Sequence, residues 1–272
     1  MYFELKLIIN DAEKRFIMTI EIENIKINYE IDGQGENILI LHGWGGCIDS
    51  MRPVINHLKK NYRVISLDFP GHGKSSTPDS PWGVPEYTDC LIKFLETLKI
   101  EKTSIIAHSF GGRVTILLAS EHPEMVEKIV LVDSGGIRPK RSMKYYFKVY
   151  SYKLVKNLIK LFVWNKQAYE RMLDKARNKY GSSDYKQLNE IMRNSFVRIV
   201  NQDLKPFLKN IKAPSLLIWG EKDADTPVYM GKIMEKGIED AGLVILKGAG
   251  HFSYLDKSGE FNKILDSFLE AK

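Results

Sequence analysis

Three side chains that together could carry nucleophilic catalysis stand just after apolar runs of this sequence. Ser109 follows the run TSIIAH, Asp223 comes shortly after PSLLIWG, and His251 comes shortly after GLVILKG. A serine can attack a carbonyl carbon when a histidine takes its proton and an aspartate orients that histidine. Each residue also has an ordinary use, since aspartates form turns and a lone histidine is more often structural. Their positions in the fold therefore decide whether they act together.

The stretch around the serine, SIIAHSFGGR, places polar residues where a buried strand ends. The pattern predicts a strand that ends at Ala107, a sharp turn around Ser109 and a helix that opens at Gly111. Larger residues at positions 107 and 111 would collide with the turning backbone. The start of the helix would direct backbone N–H groups towards an anion beside the serine. We therefore interpret Ser109 as a reactive serine that the turn exposes at the carboxyl edge of a sheet, where ligands of open α/β sheets bind.

Buried strands that alternate with helices must hold these residues in place. Residues 19–31 alternate apolar and polar positions, which predicts an antiparallel hairpin with a turn at Glu23-Asn24. Continuous apolar runs predict further strands at 37–43, 62–68, 103–108, 128–134, 214–220 and 242–248. Helical patterns lie between them, near 48–60, 86–98, 110–121, 227–237 and 257–270. The predicted fold class is α/β, with a mostly parallel eight-stranded sheet and helices on both faces.

The segment 138–205 differs from the rest of the chain in charge and in pattern. It holds 17 Lys/Arg and 5 Asp/Glu, a local charge of +12, while the remainder carries −6. Only helical periodicity is present from residue 141 to about 205. We therefore predict a core formed by 1–137 and 206–272, with an all-helical cap inserted at 138–205.

A glycine-rich loop, LHGWGG at 41–46, follows an earlier predicted strand. Together with the turn at Ser109, this loop resembles the α/β-hydrolase family, whose nucleophile turn is Gly-x-Ser-x-Gly. Ala107 stands here at the first glycine position, a difference of one methyl group. Asp223 and His251 follow Ser109 in the chain order of that family.

The resemblance covers roughly residues 25–137 and 206–270, and the insertion matches the family's variable cap in position and length. It implies roles for five residues: Ser109 as nucleophile, His251 as general base, Asp223 as the acid, and the backbone N–H groups of Trp44 and Phe110 as the oxyanion hole. The same resemblance implies a small-molecule substrate.

Two further groups of residues are expected around this site. Asp133, at the end of KIVLVDS, is a rival for Asp223 as the acid, and Asp225 is expected to cap the helix that begins near Pro227. We expect the histidines of the pocket to support the site and its aromatic side chains to favour a small to medium hydrophobic acyl group. The residues expected to line the pocket are His42, Gly43, His108, Tyr145, Tyr146, Phe162, Trp164 and Phe252.

One predicted helix of the cap, YSYKLVKNLIKLFVW at 150–164, is amphipathic. Its lysines and its apolar residues fall on different faces: Lys153, Lys156 and Lys160 on one, and Leu154, Leu158, Leu161 and Phe162 on the other. We favour a lid helix whose apolar face roofs the pocket. Contact with an anionic membrane surface is a less favoured alternative. A cationic rim that attracts anionic substrates is the third.

The favoured function is a serine hydrolase that cleaves a carboxylic ester through an acyl-enzyme intermediate. The resemblance leaves a carbon–carbon bond hydrolase of ring-cleavage products as an alternative. Such hydrolases usually carry Asn before the serine and Trp after the histidine, where this chain has His108 and Phe252. Dehalogenases and epoxide hydrolases normally carry Asp at the position of Ser109, which argues against both. A low-turnover small-molecule receptor on the same fold is a further alternative.

Composition and motifs argue against several other classes of protein. The chain is 44% apolar and 27% charged, as in soluble globular proteins, and no run approaches the roughly 18 uncharged apolar residues of a membrane span. The segment DFPGHGKSS has Asp68 where a phosphate-binding loop needs glycine. No nucleic-acid recognition motif accompanies the positive charge. We expect a cytoplasmic monomer or homodimer without metal or cofactor, in which Cys47 and Cys90 form neither a metal site nor a disulfide.

Overall fold

The structure is a computed structural model that describes residues 8–9, 16–140, 143–162, 164–165, 167–169, 171–172 and 189–271. Nine strands lie in this part of the chain: β1 (Ile8–Ile9), β2 (Phe16–Ile22), β3 (Ile25–Asp32), β4 (Asn37–Leu41), β5 (Arg63–Leu67), β6 (Thr103–His108), β7 (Val126–Val132), β8 (Ser215–Gly220) and β9 (Ala241–Leu246). They form one sheet in the order β1-β2-β3-β5-β4-β6-β7-β8-β9. The pairs from β1 through β3 to β5 are antiparallel, and those from β5 to β9 are parallel.

The prediction of a mostly parallel sheet is confirmed, and the eight predicted strands correspond to β2 through β9. The hairpin turns at Glu23 and Asn24, whose φ angles of 47° and 67° suit a two-residue turn that follows the twist of the strands. Ile22 and Ile25 pair across this turn. β1 adds a ninth strand at the edge, and its two residues are too few for an alternating pattern to reveal them.

Eight α-helices have defined bounds in the described residues: α1 (Arg52–Leu58), α2 (Val84–Thr97), α3 (Phe110–Glu121), α4 (Met143–Phe162), α5 (Glu190–Asn201), α6 (Tyr229–Gly237), α7 (Ser253–Asp256) and α8 (Ser258–Glu270). Residues 167–169 and 171–172 are also helical. Short 3-10 helices lie at Ile48–Met51, Pro123–Met125 and Lys205–Asn210. α2, α3 and α6 cover one face of the sheet, while α1 and α8 cover the other, as predicted.

The central strands are buried on both faces of the sheet. Ile105 and Leu217 pack into the core under α2 and α3, while their neighbours Ile106 and Ile218 pack into the core under α1 and α8. This alternation follows from the two-residue period of a strand. Each fully buried side chain of this kind contributes about 1.5–3 kcal/mol. The buried strands β6 and β8 therefore hold the residues at their carboxyl ends in fixed positions.

Between β7 and β8 the described residues form no strand, and α4 and α5 are the two long helices among them. α5 packs on the core: Ile199 is buried, and the Ser195 Oγ accepts a hydrogen bond from the Trp82 N–H at 2.9 Å. In α4, Ile159 is the one buried residue among the side chains that the structure describes. The exact limits of the cap stay a prediction.

Within the described residues, no helix combines the length and the apolar character needed to cross a membrane.

Candidate active site

Ser109 occupies the turn between β6 and α3, at the carboxyl edge of the sheet. Its φ of 49° and ψ of −104° lie outside the regions that a serine ordinarily adopts. The Ser109 N–H donates to the Val132 carbonyl at 3.0 Å, and the Gly135 N–H donates to the Ser109 carbonyl at 2.9 Å. Such a conformation costs about 1–3 kcal/mol and persists where surrounding contacts enforce it. These two hydrogen bonds enforce it here.

The neighbouring strand β4 limits the size of a residue beside Ser109. A Cβ added to Gly111 would lie 2.8 Å from both the Cβ and the carbonyl oxygen of Leu41 in β4. Position 111 therefore needs glycine because α3 starts against β4, and the turn itself is a lesser constraint than the sequence suggested. Ala107 is fully buried, and the structure accommodates its methyl group.

The structure brings His251 between Ser109 and Asp223. The His251 Nε2 lies 3.0 Å from the Ser109 Oγ, and its Nδ1 lies 2.9 Å from the Asp223 Oδ2. An ionised carboxylate accepts hydrogen bonds only, so Nδ1 carries the proton and Nε2 accepts from the serine hydroxyl. The side chain of Asp223 is fully buried, whereas that of His251 remains 14% exposed. Proton transfer from the serine to the imidazole is therefore geometrically direct.

Asp223 also builds the turn in which it lies. Its Oδ1 accepts the N–H groups of Asp225 at 2.8 Å and Thr226 at 3.0 Å, and its Oδ2 lies 2.7 Å from the Thr226 hydroxyl. The turn-forming use and the orienting use of this aspartate thus coincide. The expectation that Asp225 caps the next helix is wrong, because α6 starts at Tyr229 and its N-terminal cap is Val228.

The hydrogen bond between His251 and Asp223 shifts the pKa of both groups. Burial alone would lower the His251 pKa, but the hydrogen bond and the charge of Asp223 outweigh it and raise that pKa above its ordinary value. Burial alone would raise the Asp223 pKa, but the hydrogen bonds from His251 and Thr226 lower it. The aspartate is therefore ionised at neutral pH, as an orienting carboxylate must be.

Asp133 lies at the end of β7 and serves the backbone. Its Oδ1 accepts the Gly220 N–H at 2.7 Å, and its Oδ2 accepts the Ser253 N–H at 3.1 Å. It thereby ties the end of β8 to the loop that carries His251. Burial raises the Asp133 pKa to about 7. Because the His251 Nδ1 bonds to Asp223, the geometry favours Asp223 over Asp133 as the orienting acid.

The glycine-rich loop after β4 lies against Ser109. A Cβ added to Gly43 would come 3.3 Å from the Ser109 Cβ and 2.7 Å from the His108 Nδ1. His42 holds this loop: the Phe69 N–H donates to its Nε2 at 3.0 Å, so Nδ1 carries the proton and donates to the Gly43 carbonyl at 2.7 Å. Burial lowers the His42 pKa to about 4, so the ring is neutral at pH 7.

The two residues predicted to form an oxyanion hole flank this turn. Phe110 is the first residue of α3, where backbone N–H groups have no partner within the helix. Trp44 follows Gly43 directly in the chain. The Trp44 and Phe110 rings meet edge to face, with centroids 5.3 Å apart.

His108 supports the loop that carries His251. Its Nε2 donates to the His251 carbonyl at 2.8 Å, and its ring centroid lies 4.9 Å from that of His251. Burial, followed by the repulsion of a charged His251, lowers the His108 pKa to about 3. His108 therefore acts as a neutral hydrogen-bond donor. Phe252 lies 5.2 Å from the His108 ring and is 48% exposed, at the rim of the site.

An aromatic cluster beside Ser109 includes a residue that the sequence analysis missed. The Trp44 ring lies 4.6 Å from His72, and 5.5 Å from Phe196 in α5. Met192, also in α5, is buried beside Gly71. α5 is therefore the cap helix that the structure shows against the site. Helical periodicity predicted a helical segment in this part of the chain, but not which loop that segment covers.

The aromatic residues that were predicted to roof the pocket do not form a buried layer over Ser109. Phe162 is 72% exposed and Trp164 is 93% exposed. Phe162 is the last residue of α4 and Trp164 lies just beyond it, whereas α4 packs through Ile159, further back in the helix. The side chains of Tyr145 and Tyr146 lie outside the described residues. A roof formed by Phe162 and Trp164 is therefore wrong for this arrangement of the helix.

One group of side chains in the described residues could approach a metal ion. The carboxylates of Asp223 and Asp225 and a ring nitrogen of His251 lie within 4.8 Å of one another. A metal would need a free lone pair on that nitrogen, whereas the hydrogen bond to Asp223 uses it as an N–H donor. The same atoms therefore favour a proton relay.

A cavity of about 750 Å³ lies at the opposite edge of the sheet, among Asn37, Thr103, Lys128 and Ala271. These residues stand at the amino ends of the parallel strands and after α8. Ligands of open α/β sheets bind at the carboxyl ends. This tendency favours the edge that carries Ser109 as the site of binding.

Comparison with known proteins agrees with this fold. Residues 36–258 match the family described as alpha/beta hydrolase fold. A 2-hydroxy-6-oxo-6-phenylhexa-2,4-dienoate hydrolase of Comamonas testosteroni is 28% identical over 269 residues, which cover 93% of this chain and 94% of the relative. A 2-hydroxy-6-oxononadienedioate/2-hydroxy-6-oxononatrienedioate hydrolase of the same organism is 26% identical, and the match covers 91% of this chain and 92% of that protein.

A solved structure supports the fold. The meta-cleavage product hydrolase from Pseudomonas fluorescens superposes with a TM-score of 0.70 at 22% identity, covering 92% of this chain and 96% of that one. Both relatives named above are hydrolases. Because the family match spans most of the sequence, this chain belongs to the alpha/beta hydrolase fold family, and its relatives support hydrolase activity.

Proposed function

We propose that this protein is a serine hydrolase in which Ser109 attacks a carbonyl carbon of a small-molecule substrate. The observation that carries this proposal is the unbroken chain from the Ser109 Oγ to the His251 Nε2 at 3.0 Å and from the His251 Nδ1 to the Asp223 Oδ2 at 2.9 Å. In this proposal His251 takes the serine proton, and Asp223 fixes the tautomer and stabilises the imidazolium that forms.

The attacked carbonyl oxygen becomes negative and needs hydrogen-bond donors. We assign this role to the backbone N–H groups of Trp44 and Phe110, which flank Ser109 in the two turns that meet at the sheet edge. The His42 hydrogen bond to the Gly43 carbonyl would keep the first of these turns in place. Loss of one such donor typically costs about 10²–10³ in rate.

For the substrate, cleavage of a carbon–carbon bond next to a ketone has the stronger support. The two relatives named above are hydrolases of 2-hydroxy-6-oxo dienoic acids, and their similarity extends over nine tenths of this chain. The ester that the sequence analysis favoured becomes the second candidate. The aromatic cluster of Trp44, Phe110 and Phe196 would accommodate an apolar group on the ketone.

The proposed reaction balances with water as the co-substrate. Ser109 adds to the 6-oxo carbon and passes its proton to His251. In the keto tautomer of the substrate, the proton of the 2-hydroxyl has moved to carbon 5. When the tetrahedral adduct collapses, the bond between carbons 5 and 6 breaks, and its electron pair spreads through the double bond onto the 2-oxo group. The imidazolium returns a proton to this fragment. Water, deprotonated by His251, then hydrolyses the acyl-serine ester and releases a carboxylic acid.

Ester cleavage remains a candidate because the same serine, base and oxyanion donors would serve it. His108 and Phe252 stand where the carbon–carbon hydrolases usually carry Asn and Trp, and both contact the loop of His251. These two differences from the usual pattern favour keeping the second candidate. Thioesters and lactones require the same groups.

The test compares both substrate classes in one set of proteins. Wild type, Ser109→Ala and the control Ser120→Ala, which alters a serine further along α3, are assayed with 2-hydroxy-6-oxo-6-phenylhexa-2,4-dienoate and with p-nitrophenyl acetate, butyrate and octanoate. We expect kcat/KM for the dienoate to exceed that for every ester. We also expect activity to vanish in Ser109→Ala and to persist in Ser120→Ala.

Each other outcome selects a different function. Ester turnover that depends on Ser109, without dienoate cleavage, would make the protein an esterase. A steady fall in rate from acetate to octanoate would contradict the apolar acyl pocket. Tight ligand binding with only a few turnovers per hour would favour a receptor. Activity that survives in Ser109→Ala would overturn the serine mechanism.

A further inference from the structure

A stripe of apolar side chains on α4 is exposed. Six residues at intervals of three or four form this stripe: Met143 (82% exposed), Phe147 (76%), Tyr150 (64%), Leu154 (62%), Leu158 (46%) and Leu161 (65%). Such spacing places them on one side of a helix. Ile159, through which α4 packs, lies on the opposite side. Single exposed apolar residues are ordinary, whereas a continuous stripe marks a contact surface.

Positive charge accompanies this stripe. α4 contains five lysines and no acidic residue among its 20 residues, and the segment 138–205 carries +12. Lys153, Lys156 and Lys160 are exposed. A second copy of the chain on this stripe would set one lysine-rich helix against another, so the charge argues against self-association. The stripe instead fits an occupant that is apolar inside and anionic at its surface.

We propose that α4 lies flat in the interface of a bilayer that contains anionic lipids. The stripe would enter the boundary between headgroups and acyl chains to a depth of about 5–10 Å, while the lysines contact the headgroups. Trp164, 93% exposed just beyond α4, is a residue type enriched at this boundary. The geometry therefore favours the membrane-surface alternative over the lid that the sequence analysis preferred.

The first experiment measures the contribution of the lysines. Wild type and the triple variant Lys153→Gln, Lys156→Gln, Lys160→Gln are sedimented with vesicles of phosphatidylglycerol and phosphatidylcholine, and with vesicles of phosphatidylcholine alone. Each lysine near an anionic surface contributes a factor of about five, so the triple variant should bind about 100-fold more weakly. Wild type should prefer the anionic vesicles, and high salt should reduce that preference.

A matched control removes the same charge elsewhere. The variant Lys232→Gln, Lys236→Gln, Lys263→Gln alters three exposed lysines on α6 and α8. It should bind the anionic vesicles as wild type does. For the apolar contribution, Leu154→Ser should weaken binding about 10-fold, whereas Ile245→Ser, which alters a 40% exposed residue of β9, should leave it unchanged. Unaltered circular dichroism and thermal unfolding would show that the variants fold.

Three results would overturn this proposal. If the wild type fails to bind the anionic vesicles, or if the two triple lysine variants bind equally well, α4 does not contact an anionic membrane as proposed. A concentration-dependent dimer that Leu154→Ser disrupts would assign the stripe to a second copy of the chain. Maleimide labelling of Leu154→Cys much slower than that of Ile245→Cys, located by mass spectrometry, would show that another segment of the chain covers the stripe. Vesicle binding requires no catalysis, so these results are independent of the hydrolase proposal.

Discussion

At the scale of single residues, the most informative comparison is between the two aspartates beside the candidate base. Asp223 accepts the Nδ1–H of His251, while Asp133 accepts the N–H groups of Gly220 and Ser253. The two carboxylates lie at the ends of neighbouring strands, and both are buried. Only the first can stabilise a positive charge on the imidazole through a direct bond. The same substitution at the two positions should therefore have different effects.

We expect Asp223→Asn to lower kcat about 10⁴-fold, because an amide in this place favours the wrong tautomer of His251. Asp133→Asn should lower kcat less than 10-fold and reduce the melting temperature instead, since an amide nitrogen cannot accept the Ser253 N–H. Steady-state kinetics and thermal unfolding of both variants check this. An Asp133→Asn variant as inactive as Asp223→Asn would exchange the roles of the two acids.

The pH dependence of kcat/KM should report the titration of His251. The base works only when neutral, and its pKa is raised, so activity should rise with pH through a midpoint above the ordinary histidine value of about 6.5. Asp223→Asn removes the bond and the charge that raise this pKa but leaves burial, so the midpoint of its residual activity should move to lower pH. An unchanged midpoint would assign the limb to another group, such as Asp133, whose pKa of about 7 lies close to this range. The pKa values of His42 and His108, at about 4 and 3, keep both out of this range.

The residues of the candidate site could be chosen from the sequence because each follows an apolar run that forms a strand of the sheet. Parallel strands bring their carboxyl ends to one edge, so Ser109, Asp223 and His251 had to lie near one another if the strands were right. Phe196 could not be chosen in this way. It reaches Trp44 from a helix of the cap, and the placement of that helix depends on long-range packing, which periodicity does not report.

At the scale of elements, α5 rather than α4 is the part of the cap that meets the site. The Asn189 side chain caps this helix by accepting the Met192 N–H at 2.9 Å. Ser195 and Ile199 then attach its buried face to the core. The helix therefore positions Phe196 against the ring of Trp44, next to one of the proposed oxyanion donors.

Truncation of this contact should be felt in substrate binding. Phe196→Ala removes an aromatic pair worth about 0.5–1.5 kcal/mol, so we expect KM for apolar substrates to rise several-fold and stability to fall by a similar free energy. Val197→Ala, at a 45% exposed position of the same helix, is the control and should change neither. Kinetics with a short and a long acyl substrate would check this. Equal KM values for Phe196→Ala and wild type would show that α5 does not contribute to the substrate pocket.

At the scale of the whole molecule, the core and α4 should differ in local stability. β8 is buried at every position, whereas Ile159 is the one buried residue among the described side chains of α4. In water without lipid, amides of β6 and β8 should exchange only on global unfolding, and those of α4 by local opening, orders of magnitude faster. Hydrogen exchange read by mass spectrometry checks this. Equal protection of α4 and β8 would mean that α4 is firmly packed.

The architecture as a whole was accessible from the sequence because its core strands are continuous apolar runs such as ILIL and LLIW. Burial on both faces requires such runs, and turn residues mark their ends. The cap was accessible only as a helical segment. Its amphipathic helix α4 was expected to turn its apolar stripe inward, because most stripes of this kind face a core. The exposed stripe shows that periodicity reveals that a stripe exists, but not which neighbour it meets.

The pairing of β7 with β8 has a consequence for how the protein could be divided. Ser109 and the Gly43 loop precede α4 in the chain, whereas Asp223 and His251 follow α5, and the two halves of the sheet join where Ile129 through Val132 pair with Ser215 through Ile218. Neither half alone holds a complete proton relay. Two separately produced fragments, 1–162 and 189–272, would each be inactive. Activity would return only when β7 of one fragment pairs with β8 of the other. The protein would thus be suited to a split reporter, in which measured activity reports the association of two polypeptides fused to the fragments.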